Sequence, residues 1–430
     1  MKVLVVHNRY RSGSPSGENR VVDQESAALA RAGHDVCHFE RSSDDIDGRS
    51  LRGKALVPGQ VVWSQSAATE MGRLLAGFKP DVVHVHNLFP LISPSVLRSC
   101  RRHLVPVVVT LHNYRLICPS GDLFRDGRTC HDCVGRRPVP AVRHGCYRGS
   151  AGATVPLAVG MVAHRNTWRS TPSAFVFISA SQRDLHSSLD LEADRCFVKH
   201  NLVYPMTTAS SQTGDTAPES APKRSSETLV VYMGRMSDLK GIRLLMTAWE
   251  LLEDEGRVGP GKLRLGLAGG GPLDEEVRRW AGSRHSVEFH GLLDRDGCVS
   301  LLSRASAAVV PSVWEEPFGL VVAEAMSAGV PSIAPSSGSF PELISEGVNG
   351  LLFEPGDPAG LARALCEPAT DPERWDALGH KARLTYEQRF DPGANVRQLE
   401  AIYRFAIDHP VWLELRPGGT PKPGGNAGEV

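Results

Sequence analysis

Long apolar runs are missing from this 430-residue chain, and without about 18 hydrophobic residues in succession no membrane-spanning helix is expected. The opening Met1-Lys-Val-Leu-Val-Val is too short for an export signal and reads as a first strand. Nine cysteines are too few for a disulfide scaffold, so reduced thiols and a cytoplasmic protein are expected. Aromatic residues amount to only 6%, and no repeat of roughly 20–50 residues recurs. Net charge is also lacking, since 48 Lys and Arg balance 48 Asp and Glu. The balance conceals an asymmetry: residues 1–204 carry 26 basic against 17 acidic residues, and the remainder 22 against 31. Much of the first excess lies between Arg98 and Arg148, where only Asp122, Asp126 and Asp132 oppose it. Such a stretch is either a solvated basic face or a surface for an anionic acceptor or an anionic membrane. It has no interleaved aromatics and no nucleic-acid module accompanies it, so no nucleic-acid partner is expected.

What is present is an alternation of short β-branched runs with helix-length amphipathic stretches, the pattern of βαβ units around parallel sheets. Strands are expected at Val3–Val6, Val36–Phe39, Val82–Val85, Val107–Leu111, Phe175–Ile178 and Cys196–Lys199. A second series runs from Leu229–Met233 through Leu263–Ala268, Val287–His290, Ala307–Val310 and Pro331–Ala334 to Leu351–Phe353. Between the two series the composition turns Ser/Thr/Ala/Pro-rich, as in a linker. The expected fold is therefore α/β, with two Rossmann-like doubly wound domains facing across a cleft. Residues 1–204 form the first domain, with a cysteine-containing insertion at 113–150. Residues 205–228 are the linker and 229–400 the second domain. A helix at 401–416 packs back toward the first domain, and the Gly/Pro-rich tail 417–430 is disordered.

Two motifs in the second domain carry chemistry. Glu316-Pro-Phe-Gly-Leu-Val-Val-Ala-Glu324 follows a strand and opens a helix, which places Phe318, Gly319 and Leu320 in a first turn whose N–H groups suit a phosphate. Gly234-Arg235-Met-Ser-Asp-Leu-Lys240-Gly241 follows that domain's first strand and offers a guanidinium fork and an ammonium to an anion. Either alone is more often a solvated surface feature. In combination they resemble the E-x7-E and Gly-Arg…Lys-Gly elements of the family-4 retaining glycosyltransferases, which have the GT-B fold. Leu267-Ala-Gly-Gly-Gly-Pro272 and Ser337-Gly-Ser-Phe-Pro-Glu-Leu-Ile344 match in order as well. The resemblance covers nearly all of 229–400.

The resemblance implies retaining transfer of a hexose from a nucleoside-diphosphate sugar to an acceptor hydroxyl, with no metal required for catalysis. Arg235 and Lys240 would bind the diphosphate, Glu316 the hexose and Glu324 the ribose. Gly234, Gly270 and the Phe318–Leu320 amides would line the donor site. In the first domain, Gly17 of Ser14-Pro-Ser-Gly17 matches the family's glycine loop, with Ser16-Gly17 where Gly-Gly is usual. His112, at a strand end, matches the family's active-site histidine. Asp81-Val-Val-His-Val-His-Asn87 and His112-Asn-Tyr-Arg-Leu-Ile-Cys-Pro119 look closest to bacterial exopolysaccharide and cell-surface glycan members. A UDP-sugar is the favoured donor and GDP-mannose the second. The acceptor would be sugar- or lipid-linked, reached by peripheral contact with the inner membrane face.

Cys118, Cys130, Cys133 and Cys146 form C-x11-C-x2-C-x12-C in a loop-rich stretch with little apolar content. The central C-x2-C has metal-knuckle spacing, so a structural zinc held by four thiolates stands against four free thiols. Asp294-Arg-Asp296 and Asp45-Ile-Asp47 have the spacing of a metal-binding D-x-D, but the first reads as a helix N-cap and the second as a polar loop. Two other readings stay open. One is glycosylation of a small secondary metabolite in an actinomycete, a source fitting 39 Arg against 9 Lys. The other is a non-catalytic, zinc-stabilised scaffold for sugar or lipid.

Overall fold

The computed structural model describes residues 1–13, 16–206, 228–259 and 261–411. Ser14 and Pro15, nearly all of the expected linker, the expected tail and the end of the 401–416 helix lie outside the described residues. The chain divides into two compact units. Unit 1 comprises Met1–Leu123, Cys130–Leu202 and the chain from Gly393; unit 2 comprises Phe124–Thr129 and Val203–Pro392.

Unit 1 is built on six parallel strands: β1 (Lys2–Arg9), β2 (Asp35–Ser42), β3 (Val82–Val85), β4 (Val107–Leu111), β5 (Ala174–Phe177) and β6 (Cys196–Val198). Their order is β2-β1-β3-β4-β5-β6. The valine-rich β3 and β4, and β5 beyond them, are buried at every position, which is why they read as unbroken apolar runs. Val83, Val85, Val107 and Val109 pack with Met71 and Leu75 of the helix Gln65–Phe78. Each such side chain contributes roughly 1.5–3 kcal/mol when fully buried.

Unit 2 repeats the scheme with β7 (Thr228–Met233), β8 (Leu263–Ala268), β9 (Val287–Gly291), β10 (Ala307–Val309), β11 (Ser332–Pro335) and β12 (Gly350–Phe353). The order here is β9-β8-β7-β10-β11-β12, again parallel throughout. Trp249 and Trp375 are fully enclosed in its core. Strand order reverses beside β1 in unit 1 and beside β7 in unit 2. In open parallel sheets the crevice beyond the strand ends at such a point is where ligands bind.

The structure moves two boundaries. Val203 already belongs to unit 2, where its carbonyl accepts from Tyr386 OH at 2.8 Å. The last helix runs Pro392–Asp408 rather than 401–416, because a proline is well suited to a helix's first position. It groups with unit 1 from Gly393, and Tyr403 OH lies 2.7 Å from Nδ1 of His84. Helices at Leu51–Val62, Gln65–Phe78, Ala151–Ala163 and Pro372–Arg389 were not expected from the sequence pattern.

Candidate active site

In unit 2 the neighbours β7 and β10 end side by side, so the loops that follow them meet. Their approach is backbone to backbone. Gly241 has φ +67°, and a Cβ there would lie 1.7 Å from the carbonyl oxygen of Pro311. Gly269 has φ +140°, and a Cβ there would lie 1.8 Å from the carbonyl oxygen of Gly234. Only glycine combines these angles with that proximity. Val313 N–H donates to Leu239 O at 3.0 Å and fastens the two loops together. The loop glycines therefore bring Gly234–Gly241 and Pro311–Glu316 into one place. Gly270 itself faces open space, so the glycines that the close packing requires are its neighbours.

Glu316 sits at the centre of this junction and is buried. Its carboxylate accepts from Lys240 Nζ at 2.7 and 2.9 Å, from Trp314 Nε1 at 3.0 Å and from Ser312 Oγ at 3.2 Å. The Lys240 ammonium also lies 5.2 Å from the centre of the Trp314 ring. The sequence reading gave Lys240 and Glu316 separate partners, whereas here they hold each other. An ammonium so placed offsets the cost of burying a carboxylate and stays within reach of an incoming anion. Arg235 is exposed, while its carbonyl is fixed by Tyr232 OH at 2.8 Å.

The helix expected to open near Leu320 begins there, with Gly319 at the left-handed φ of +81° as its N-cap, so Phe318 lies before its first turn rather than in it. Phe318 is a packing residue, buried against Phe390 with ring centres 6.0 Å apart. Gly319 and Leu320 still occupy the positive end of the eight-residue helix Leu320–Ser327. Glu324 is buried one turn further in.

In unit 1, His112 follows β4 and is half-buried. Its Nε2 lies 2.9 Å from Nδ1 of His86, with the rings stacked 5.2 Å apart. Beneath them His84 Nε2 meets Thr110 Oγ1 at 2.7 Å, and buried Glu25 accepts from Lys199 Nζ at 2.7 Å. Burial holds His112 at about 3 and His84 at about 4, with His86 also well below its usual range, so the three are neutral near pH 7. Burial pushes the Glu25 carboxyl up, but the Lys199 ammonium pulls it down and the net shift is downward, so the group is ionised near pH 7. Among the described residues, the one trio of metal-ligand atoms within 4.8 Å of one another is Glu25, His84 and His86. The Lys199 ammonium already answers that carboxylate.

Gly17 opens the helix Gly17–Arg31, whose N-cap Ser16 accepts from Asn19 N–H. The next residue, Glu18, was not anticipated. Burial pushes its carboxyl up to about 7 against Tyr10, Arg115 and Asn113, which pull it down. Tyr10 OH donates to it at 3.1 Å. No sequence signal separates Glu18, Glu25, Lys199 or Tyr403 from ordinary residues, because each is defined by partners remote along the chain.

The four cysteines of the insertion lie in unit 1, with Cys118 and Cys133 buried and Cys130 and Cys146 half-buried. Burial pushes the Cys133 thiol up to about 11, and the thiols of Cys118, Cys146 and Cys130 push it in the same direction. Among the described residues no three of these sulfurs lie within 4.8 Å of one another. Asp294 caps its helix, accepting from Gly297 N–H at 2.8 Å, and Asp47 pairs with Arg11.

Residues 15–204 match the family described as Glycosyltransferase Family 4, and residues 227–371 match Glycosyl transferases group 1. The chain belongs to the glycosyltransferases. A glycogen synthase of Mycobacterium tuberculosis is 26% identical over 426 residues, spanning 91% of this chain and 91% of that one. An uncharacterised glycosyltransferase of Methanocaldococcus jannaschii is 23% identical over 398 residues, 88% of this chain and 92% of its own length. The crystal structure of Anabaena HepE in complex with UDP-glucose superposes with a TM-score of 0.61 at 18% identity, covering 93% of this chain and 98% of that one. This glycosyltransferase has the GT-B fold. None of its helices among the described residues is long and apolar enough to cross a membrane.

Proposed function

We propose that this glycosyltransferase moves a hexose, with retention of anomeric configuration, from a UDP-sugar to a hydroxyl of a lipid-linked or glycan acceptor. GDP-mannose is the second candidate donor. The observation that carries the reading is Glu316, a buried carboxylate at the junction of two strand-end loops, bound by Lys240, with Arg235 exposed on the same loop as Lys240 and a helix N-terminus after it. A nucleoside diphosphate needs cations and free N–H groups for its phosphates and a carboxylate for its ribose, and unit 2 offers all three. Glu324 is the carboxylate for the ribose hydroxyls.

In the reaction the bond from the anomeric carbon to the diphosphate breaks and one to the acceptor oxygen forms on the same face. The acceptor's proton passes to the departing phosphate oxygen. Arg235, Lys240 and the amides at Gly319 and Leu320 stabilise the charge that develops there, so the chemistry needs no divalent ion. Glu316 orients the hexose. His112, neutral and steadied by His86, presents a hydrogen-bonding nitrogen to the sugar or the incoming hydroxyl. Work at the inner face of a membrane on exopolysaccharide or cell-surface glycan precursors fits the arginine excess of unit 1.

Calorimetry with UDP, GDP and dTDP tests the donor reading. UDP is expected to bind most tightly, and Glu324→Ala is expected to weaken it at least tenfold. Equal weak affinity for all three, or no effect of the variant, would sink the donor assignment.

We further propose that Cys118, Cys130, Cys133 and Cys146 hold a structural zinc, supported by the metal-knuckle spacing of Cys130 and Cys133 in the sequence. Replacing Cys130 and Cys133 together by serine is expected to remove about one zinc per chain from the purified protein and to lower its Tm by several degrees. Unchanged metal content and Tm would retire the zinc site.

A further inference from the structure

Unit 1 contains a cavity of about 380 Å³ that the donor chemistry does not use. Its walls come from segments far apart in sequence, and His112 and His86 stand among them. Leu88, Phe89, Leu116, Ile117, Leu157 and Trp168 make it mainly apolar. The charged residues among its lining are all arginines: Arg115, Arg136, Arg137, Arg165 and Arg169. Three of these are engaged within the fold. Arg115 donates to Pro119 O at 3.0 Å, Arg165 to Ser188 O at 3.4 Å, and Arg169 pairs with Asp190 at 2.7 Å. Arg136 and Arg137 are exposed and form no ion pair among the described residues.

An apolar chamber with two uncommitted guanidinium groups at its rim and histidine nitrogens in its wall does not fit a free sugar. A saccharide needs many hydrogen-bonding groups, and burying its hydroxyls against leucine and valine is costly. A chamber of this volume lies within the range of small-ligand pockets, and its composition asks for a chain of carbons. The two free arginines ask for phosphate.

The surface around the cavity agrees. The helix Ala151–Ala163, which contributes Leu157 and Met161 to the lining, carries no charged residue. It turns Val155, Val159 and Val162 outward, 42–55% exposed and spaced as one stripe. Packed beside it, the helix Leu51–Val62 has no buried residue and leaves Leu51 and Leu56 exposed. Val139, next to the cavity residue Pro138, is also exposed. These groups would lie against the hydrocarbon margin of a bilayer, the place from which a long-chain phosphate would be drawn.

We propose that this cavity binds the hydrocarbon chain of an amphiphilic acceptor whose phosphate or diphosphate is held by Arg136 and Arg137. The hydroxyl to be glycosylated then lies on the polar side, toward His112. The proposal rests on reading unit 1 as the acceptor side of the enzyme, and it narrows the acceptor to one chemical class.

The test is calorimetric titration of the full chain with three probes below their aggregation limits: decyl phosphate, decanol and inorganic phosphate. Decyl phosphate is expected to bind saturably at about one per chain, at least tenfold more tightly than decanol, with no measurable binding of phosphate alone. Met161→Trp, which fills the cavity, should abolish binding of both chain-bearing probes. Arg136→Ala with Arg137→Ala, at exposed positions that leave folding intact, should reduce decyl phosphate to the affinity of decanol. Non-saturable uptake, binding unaffected by Met161→Trp, or equal affinity for decanol and decyl phosphate would overturn the proposal. UDP titrated into the same samples separates the two readings. UDP binding without amphiphile binding defeats this inference alone, and loss of UDP binding defeats the donor assignment.

Discussion

Glu316→Gln is expected to slow hexosyl transfer by about 10^2-fold or more, some 2.7 kcal/mol of transition-state stabilisation, in a protein that remains folded. The substitution keeps the shape of the side chain but replaces an oxygen that Lys240 now faces with an amide nitrogen. A carboxylate that accepts from an ammonium, an indole N–H and a hydroxyl becomes a group that must turn one donor toward another. Lys240 is then released from its fixed place, and the sugar loses its anionic partner. Turnover with UDP-glucose and a decyl-phosphate-linked sugar would be compared with Tm and with UDP affinity. A near-wild-type rate in the folded variant would remove Glu316 from the reaction.

The second large effect is purely steric. Gly241→Ala would set a methyl group 1.7 Å from the Pro311 carbonyl oxygen at a backbone angle of φ +67°. Left-handed strain and displacement of the neighbouring loop are expected to cost roughly 3 kcal/mol or more. Because that contact carries the Lys240–Glu316 pair, UDP binding should be lost even where unit 2 stays folded. Urea unfolding with a UDP titration on the same protein would read both effects. An alanine variant with unchanged stability would mean that the two loops need not touch.

The parts legible in the sequence are those governed by local pattern. The unbroken valine runs at Val82–Val85 and Val107–Leu111 signal strands covered on both faces, and the expected spans match the structure to the residue. Gly234-Arg235…Lys240-Gly241 and Glu316…Glu324 are compact motifs after strands, and the structure brings Lys240 and Glu316 into contact. What escaped notice lacks a period. The helix Leu51–Val62 carries Pro58 and two glycines and buries nothing, so no apolar stripe marks it. Ala151–Ala163 is apolar nearly all round and interrupted by Pro156, which hides its helical repeat. The network behind His112 is invisible for another reason: Glu25, Lys199 and Tyr403 come from three distant parts of the chain and meet only in the fold.

That last meeting sets an order on biosynthesis. Unit 2 is inserted, in chain terms, between Leu202 and Gly393 of unit 1. Tyr403, which reaches His84 at the heart of the first-made sheet, is translated only after unit 2. The first unit therefore waits, incomplete, while the whole of the second is translated. A nascent chain halted before Pro392 would hold nearly all of unit 2 but lack the helix whose Tyr403 completes the buried network of unit 1.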